Sequence, residues 1–466
     1  MVRRERWVAL VTLALLQVFV IAAGAYLITN DFNLSALTEG PPRPVAPAEP
    51  PPVPVVTAGP VLAAGGNGPL PTKGTLAGRL EDALGDPALG DRVGAAVIDV
   101  SSGAELFGSA ADAAVTPAST TKVATMVATL ASIGPEARLT TRVVRGQAKN
   151  SVILVGGGDP TLQGPRAPRS RPYPRPASLT ELAESTAEAL KAAGVTKVTL
   201  GYDDTLYTGS RLAPGWKPGY VPEGSVAPIT ALAVDEGRAD PDSWTRVSDP
   251  SRTAALAFAA LLRKEGVTAG GSVRPARAPD GAAELARVES APVYALVERT
   301  LTLSDNDLAE ALARQVALKE GLPASFEGGA QAVRRVLARI GADKGVQTFD
   351  GSGLSTKNRI SAAAMARLVA VAASPANPHL HAVISGMPVA GFTGTLGQRF
   401  TGSLSRPGVG VVRAKTGTLN NVNTLAGLAT TTDGRLVTFA FLADKVPVNA
   451  EPVLDRLATI VSRCGC

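Results

Sequence analysis

Residues 93–99 of this 466-residue chain alternate in the manner of a strand, and three short segments near the C-terminus are rich in apolar residues. Alternation of this kind is typical of strands with one buried face. Ser-Ser-Gly at 101–103 and Asp433-Gly434 supply turns between neighbouring strands, and a helix over 452–461 is expected to cover the sheet. We therefore predict an antiparallel sheet built from both ends of the folded region. Its predicted strands are 93–99, 105–108, 411–416, 422–429 and 436–442.

Two predicted helices have reactive residue types at their N-terminal ends. The first should contain Ser119 and Lys122 in its first turn, and the second, over 307–319, places Ser304 and Asn306 in the loop before it. Both helices have one apolar face at a spacing of three and four residues, which indicates burial of that face. The apolar positions are Val123, Met126, Val127 and Leu130 in the first helix and Leu308, Ala311, Leu312 and Val316 in the second.

The middle of the chain has its own mixed pattern of helix and strand. Ser178 and Glu181 form a capping box for a helix that Gly194 ends, a strand follows over 195–200, and Asp249-Pro250 begins another helix that ends near 264. We expect an inserted α+β domain at 165–289. The predicted catalytic domain then consists of 75–164 and 290–466.

The N-terminal end combines three arginines with an apolar run over 7–28. About twenty apolar residues can span a bilayer as a helix, and a basic flank marks the cytoplasmic side. We expect residues 1–30 to be a membrane anchor or a signal segment, since Ala23-Gly24-Ala25 could serve as a cleavage site. Either form places the rest of the chain in the cell envelope, outside the cytoplasm. Residues 31–74, rich in Pro and Ala, are predicted to be a linker, either a tether or a tail without a role.

Composition excludes several classes of protein. The net charge of +6 and the pI near 9.4 do not predict nucleic-acid binding, because the charges are scattered and only 4% of residues are aromatic. Contact with anionic polymers of the cell envelope is a simpler explanation of the positive charge. The two cysteines, Cys464 and Cys466, and the two histidines, His379 and His381, are too few for a structural zinc site. We expect no metal and no cofactor, and the cysteine tail stays open between a frayed end, a thiol pair and an intermolecular link.

Three short motifs contain the candidate chemistry. Ser119-Thr120-Thr121-Lys122 supplies a hydroxyl and, one helical turn on, an amine. Serine needs a base within hydrogen-bond reach to act as a nucleophile, and we expect the helix N-terminus and the cation of Lys415 to lower the pKa of Lys122 towards a useful base. Alone, the motif is more often an ordinary helix start with a solvated lysine.

The other two motifs would complete an acyl-transfer site. Ser304 could pass a proton to a leaving amine and Asn306 could hold a substrate amide, with Asp305 orienting the loop. Lys415-Thr416-Gly417, at a strand end, suits a substrate carboxylate, and Gly417 would let a substrate backbone approach. The amides of Ser119 and Thr418 could form an oxyanion hole. Each motif alone has a structural reading, as a helix cap or a basic strand end, but the conjunction of three in this order is specific.

With these motifs the chain resembles the D-alanyl-D-alanine carboxypeptidases of the class C low-molecular-mass penicillin-binding proteins, peptidase family S13. Ser304 lies 185 positions after Ser119, and this long separation matches the large insertion of that family, which class A β-lactamases do not have. The resemblance runs from about Thr75 to the C-terminus. It also rests on the stretches 154–160, 213–216, 350–355 and 389–396.

The resemblance implies a penicillin-binding protein or serine β-lactamase-like transpeptidase fold of the α/β (α+β) class, with an antiparallel sheet covered by helices. It implies Ser119 as nucleophile, Lys122 as base, Ser304 and Asn306 as the second element, and Lys415 with Thr416 at the substrate carboxylate. Side-chain recognition would involve Asp204 and Tyr207 in the insert, and Leu419 and Asn420 after the third motif. Thr356 and Lys357 depart from the arginine that some members have after the Gly-Leu-Ser turn, and the insert is short for the family.

The expected activity is removal of the terminal D-alanine from peptidoglycan stem peptides through an acyl-serine, with endopeptidase activity compatible with the same residues. β-Lactams should acylate Ser119 as covalent inhibitors. The alternatives are a serine β-lactamase, which would release the adduct fast, and a non-catalytic cell-wall-binding protein with the same fold. A penicillin sensor and a Ser-His-Asp hydrolase are disfavoured, because few residues precede the apolar run and the chain has no Gly-x-Ser-x-Gly motif.

Overall fold

The computed structural model of the protein describes residues 2–29, 68–71 and 73–465. The apolar N-terminal run forms a helix, Val2–Thr29, that belongs to a unit of its own. Among the described residues, no helix combines the length and the apolarity that a membrane crossing requires. Most of the predicted linker (31–74) lies outside the described residues, and so does Cys466.

Thirteen strands of the described residues form three sheets. The first sheet is antiparallel throughout, so the two ends of the folded region pair in one sheet. In spatial order its strands are Val412–Leu419, Val422–Thr430, Leu436–Asp444, Arg92–Asp99 and Glu105–Ser109. All five predicted strands are present and are one or two residues longer than expected, and the strand predicted at 411–416 begins one residue later and ends three residues later. The strands are β1 (Arg92–Asp99), β2 (Glu105–Ser109), β3 (Ala114–Val115), β4 (Thr140–Arg145), β5 (Ser151–Val155), β6 (Lys197–Asp203), β7 (Thr268–Pro275), β8 (Glu284–Glu289), β9 (Val346–Gln347), β10 (Arg359–Ser361), β11 (Val412–Leu419), β12 (Val422–Thr430) and β13 (Leu436–Asp444).

Side-chain caps begin several of the helices, as the sequence predicts. Ser178 accepts a hydrogen bond from the backbone N–H of Glu181, and Asp249, followed by Pro250, caps its helix in the same way. These bonds satisfy N–H groups that have no partner inside the helix. The helices are α1 (Val2–Thr29), α2 (Lys73–Leu84), α3 (Thr121–Ile133), α4 (Leu179–Ala192), α5 (Pro250–Lys264), α6 (Val293–Leu303), α7 (Asn306–Lys319), α8 (Phe326–Arg339), α9 (Ala362–Ala373), α10 (Ala382–Ser385) and α11 (Glu451–Ser462).

Helices cover both faces of the first sheet. One face packs directly against α9, with α3 and α7 in the same apolar core, and the other face packs against α2 and α11, so that one apolar core lies on each side of the strands. Strand β12 is buried at every position except its last, since helices cover both of its faces. The expected α/β fold, an antiparallel sheet covered by helices, is confirmed.

The second five-stranded sheet has the order β7-β6-β5-β4-β8 and packs against α4 and α5. It is mixed, with β5, β6 and β7 parallel and β4 antiparallel to both of its neighbours. Two of its strands, β4 and β5, precede residue 165, where we predicted the insert to begin. The predicted boundary at residue 165 therefore falls in the loop between β5 and α4, within this α/β unit. The division into domains stays a prediction.

Candidate active site

The candidate nucleophile lies in a tight turn before a helix rather than inside the helix. Ala118 has a φ of 49°, a left-handed conformation that an α-helix cannot include, and Ala118–Thr120 form a 3₁₀ turn. Helix α3 therefore begins only at Thr121, two residues after Ser119. The side chain of Ser119 is half-buried, while Lys122 is fully buried in the first turn of α3. A strained residue next to a reactive one is a frequent feature of functional sites.

Two glycines hold this turn in place. A Cβ on Gly353 would lie 2.0 Å from the carbonyl oxygen of Ala118, and one on Gly417 would lie 2.8 Å from that of Pro117. The backbone at Gly353 also has a φ of 89°, which favours glycine. From the sequence, we expect Gly417 to let a substrate backbone approach the strand. In the structure, the turn that contains Ser119 also packs against Gly417. The first and third motifs are thus in direct contact.

Replacement of Gly417 by alanine is expected to slow acylation of Ser119 and to lower stability by about 1–3 kcal/mol. The added methyl would meet Thr424 Oγ1 at 2.2 Å as well as the Pro117 carbonyl, so the turn must shift. Thermal unfolding and the rate of labelling by a fluorescent penicillin would measure the two effects. Gly78→Ala is the control, because Gly78 is at an exposed position of helix α2 and its Cβ would meet nothing within 4 Å. Wild-type labelling by Gly417→Ala would contradict the expectation.

Lys122 joins the first two motifs. Its Nζ donates to Ser119 Oγ at 3.0 Å, to Asn306 Oδ1 at 2.6 Å and to the carbonyl oxygen of Ser352 at 2.6 Å. Burial lowers its pKa from 10.5 to about 8, although the carboxylates of Asp350 and Glu310 oppose this shift. The predicted direction is therefore right, but the main cause is removal of the ammonium group from water rather than the helix N-terminus or Lys415.

The second motif lies between two helices. Ser304 ends α6 in a left-handed conformation with a φ of 58°. Asp305 caps α7 by accepting a hydrogen bond from the backbone N–H of Leu308 at 2.9 Å, as expected of a residue that orients the loop. Asn306 is the first residue of α7, and its Nδ2 donates to the carbonyl of Ser225 at 2.8 Å. That bond turns its Oδ1 towards Lys122.

The third motif lies on β11, at the edge of the first sheet. Lys415 Nζ donates to Ser304 Oγ and to the carbonyl oxygen of Thr416, each at 2.9 Å. Lys415 is fully buried, and burial together with the nearby Lys122 lowers its pKa well below the usual value. A buried amine of this kind gains from an anionic partner, which a substrate carboxylate could supply.

The outer edge of β11 is covered along its first half only. The backbone N–H of Ala390 donates to the carbonyl of Val412, and that of Ala414 donates to the carbonyl of Pro388, both at 3.0 Å. Since backbone groups of alternate residues face the same edge of a strand, those of Thr416 and Thr418 face this edge too. The N–H of Thr418 is therefore on the side where the predicted oxyanion hole requires it.

Three contacts of the site were not assigned from the sequence. The carbonyl of Ser352 accepts from Lys122, and buried Glu310 holds the backbone N–H groups of Gly351 and Ser352 at 2.8–3.1 Å. Thr395 Oγ1 lies 2.8 Å from Thr416 Oγ1. Ser352 and Thr395 lie in the segments 350–355 and 389–396. From the sequence, these segments are known only as stretches that resemble the family. The glycine-rich pattern at 350–355 was the available signal for a loop that approaches another backbone closely.

Two predicted substrate contacts are not joined to this cluster. Asp204 accepts from Arg211 Nη2 at 3.0 Å and from Ser251 Oγ at 2.7 Å, and none of its hydrogen bonds reaches a residue of the three motifs. Asn420 is exposed at the turn after β11, next to Thr418, whose hydroxyl donates to Glu451 at 3.2 Å. Their roles in substrate binding stay predictions.

Comparison with known proteins identifies the family of the chain. The model of the D-Ala-D-Ala carboxypeptidase 3 (S13) family matches residues 76–243 and 239–461. The chain belongs to this family. The family and the class of serine carboxypeptidase predicted from the sequence are thereby confirmed.

Relatives resemble the chain over nearly its whole length. A carboxypeptidase of Mycobacterium tuberculosis is 36% identical over 425 residues, which cover 90% of this chain and 90% of that protein. The carboxypeptidase DacB of Mycolicibacterium smegmatis is 34% identical and covers 100% of this chain and 98% of its own. The crystal structure of penicillin binding protein 4 from Haemophilus influenzae shares the fold, with a TM-score of 0.68, 22% identity and coverage of 82% of this chain and 98% of that one.

Proposed function

We propose that Ser119 is the nucleophile and Lys122 the general base of a D-Ala-D-Ala carboxypeptidase that acts on peptidoglycan stem peptides. The observation that supports this most directly is the 3.0 Å contact between Lys122 Nζ and Ser119 Oγ at a buried site where the lysine pKa is lowered. A neutral amine at this distance can accept the serine proton as the hydroxyl attacks.

The reaction forms an ester and then hydrolyses it. Ser119 Oγ bonds to the carbonyl carbon of the penultimate D-alanine, and Lys122 takes its proton. The C–N bond to the terminal D-alanine breaks, and the leaving amine receives a proton through Ser304. Water then attacks the ester, which releases the shortened peptide and returns the proton to Ser119. The N–H groups of Ser119 and Thr418 would hold the oxyanion in both steps.

Recognition of the substrate carboxylate is assigned to Lys415 and Thr416. Lys415 is buried beside Ser304, with a pKa depressed by burial, so a carboxylate at this position would restore the favourable charged form of the amine. β-Lactams carry a carboxylate and a carbonyl in a similar arrangement, and we expect them to acylate Ser119 as covalent inhibitors.

We also infer that the chain acts outside the cytoplasm, with its N-terminal apolar segment as anchor or cleaved signal.

A pair of synthetic stem pentapeptides would test the proposed function. With the free C-terminal carboxylate, mass spectrometry should show loss of one alanine, and with a C-terminal amide the rate should fall by about 10²-fold or more, because Lys415 loses its anionic partner. A cross-linked muropeptide in a parallel incubation would report endopeptidase activity.

Three outcomes would contradict the proposal. Equal rates for acid and amide would remove the carboxylate role of Lys415. A penicillin adduct on Ser119 that forms and turns over quickly, without any alanine release, would favour a β-lactamase. A chain that neither labels nor releases alanine would be a binding protein with this fold.

A further inference from the structure

The second motif is held in place from the α/β unit, by residues that lie between β6 and α5. Asn306 Nδ2 donates to the carbonyl of Ser225. Asp307, the next residue, accepts from the backbone N–H of Ala227 at 2.8 Å with one carboxylate oxygen, and its other oxygen lies 3.2 Å from Arg246 Nη2. The first turn of α7 is therefore fixed on the side away from Lys122.

Arg246 links the 224–236 segment to Asp307. Its side chain is 3% exposed, and its Nε donates to the carbonyl of Gly224 at 3.0 Å while Nη1 donates to the carbonyl of Glu236. One guanidinium group thus donates to two backbone carbonyls and forms an ion pair with the carboxylate of Asp307. A planar guanidinium with several donors suits such a junction, because lysine offers a point charge without the fixed geometry.

A second ion pair supports the other side of the motif. Glu236 accepts from Arg299 Nη2, and Arg299 Nε lies 3.6 Å from Asp305 Oδ2. Glu236 itself has a left-handed backbone with a φ of 58°, and its N–H donates to the carbonyl of Pro160 at 2.7 Å. The carboxylates on both sides of Asn306 are thus paired with buried or half-buried arginines.

On the basis of the function proposed above, we propose that Arg246 is a positioning residue for Asn306. By holding Asp307 and the Gly224–Glu236 segment at fixed places, it keeps the Ser225 carbonyl on Asn306 Nδ2. The amide is then locked with Oδ1 on Lys122, at 2.6 Å, and cannot flip to present its NH₂ group to the amine. Arg246 touches neither the nucleophile nor its base.

The contribution of Arg246 can be measured as the acylation rate of folded protein. In Arg246→Gln, labelling by fluorescent penicillin should slow by about 10- to 100-fold, because misplacement of a reacting group by about 1 Å has effects of this size. The unpaired Asp307 should also lower the melting temperature. Asp307→Asn in the same chain removes that buried charge, so it should restore stability while the rate stays low. Arg246→Lys should recover only part of the rate.

Arg435→Gln is the matched control. Arg435 pairs with fully buried Asp99 at the far end of β1, three strands from β11. Its loss should lower the melting temperature without slowing the acylation of folded molecules.

A double-mutant cycle of Arg246→Gln and Asn306→Ala separates the positioning role of Arg246 from the proposed function. In the Asn306→Ala background, Arg246→Gln should change the acylation rate by no more than about twofold, because the group it positions is gone. Full additivity of the two effects, or wild-type labelling by folded Arg246→Gln, would overturn the positioning role. If Asn306→Ala alone labels at the wild-type rate, the proposed role of Asn306 fails as well.

Discussion

Replacement of Ser119 by alanine is expected to abolish covalent labelling by penicillin and to lower alanine release by about 10⁴-fold or more. No other hydroxyl lies where Lys122 can activate it equally: among the described residues, the one serine hydroxyl that Lys122 Nζ contacts is that of Ser119. Intact-mass spectrometry after incubation with penicillin would measure the adduct, and the pentapeptide assay would measure turnover.

The matched control is Ser132→Ala, which removes a hydroxyl from the far end of the same helix, where it donates to Glu320 at 2.6 Å. It should label and turn over as the wild type does. An adduct of unchanged mass in Ser119→Ala would show that another residue is acylated and would end the assignment of the nucleophile.

The second large effect concerns Lys122 and pH. Because burial lowers its pKa to about 8, the neutral base is available at a lower pH than in free lysine, and the acylation rate should rise with pH through about 8. At pH 6, two units lower, only about a hundredth of the amine is neutral, and the rate should fall in proportion. Lys122→Gln should lose about 10²- to 10⁴-fold at every pH, since the amide cannot accept the proton.

Stopped-flow acylation between pH 6 and 9 would give this profile, with Lys415→Gln for comparison. Since two amines share the site, the observed steps belong to the pair, and the variants separate them. Loss of Lys415 should chiefly remove discrimination between the acid and amide peptides. A flat wild-type profile, or rapid acylation by Lys122→Gln, would rule out Lys122 as the base.

Local patterns predicted the elements well but not the contacts between them. The strands of the first sheet and the starts of α4 and α5 follow from alternation and capping, which depend on neighbouring residues alone. The left-handed Ala118 has no such signal, since alanine does not favour that conformation. It is imposed by the backbone of Gly353 and Gly417, which are distant in sequence.

The pKa of Lys122 also depends on residues that are distant in sequence. The sequence places Lys122 next to Ser119, but the loop that buries the lysine contains Ser352, 230 residues away. Desolvation is a property of the assembled fold, so the size and cause of the pKa change could not be predicted from the motif. The hydrogen bond from Asn306 to Ser225 is also long-range, across 81 residues.

The partial cover on the edge of β11 has a consequence for the length of peptide that can be cut. Beyond Thr416, where the carboxylate is proposed to bind, the strand edge is already occupied by the 388–390 segment. In the proposed binding mode, a peptide that pairs with Thr418 and extends beyond the carboxylate position would have to leave the strand edge there. The free part of the edge would then admit one residue beyond the scissile bond. The geometry of the edge would thus select the end of a peptide chain, in addition to the charge of its carboxylate.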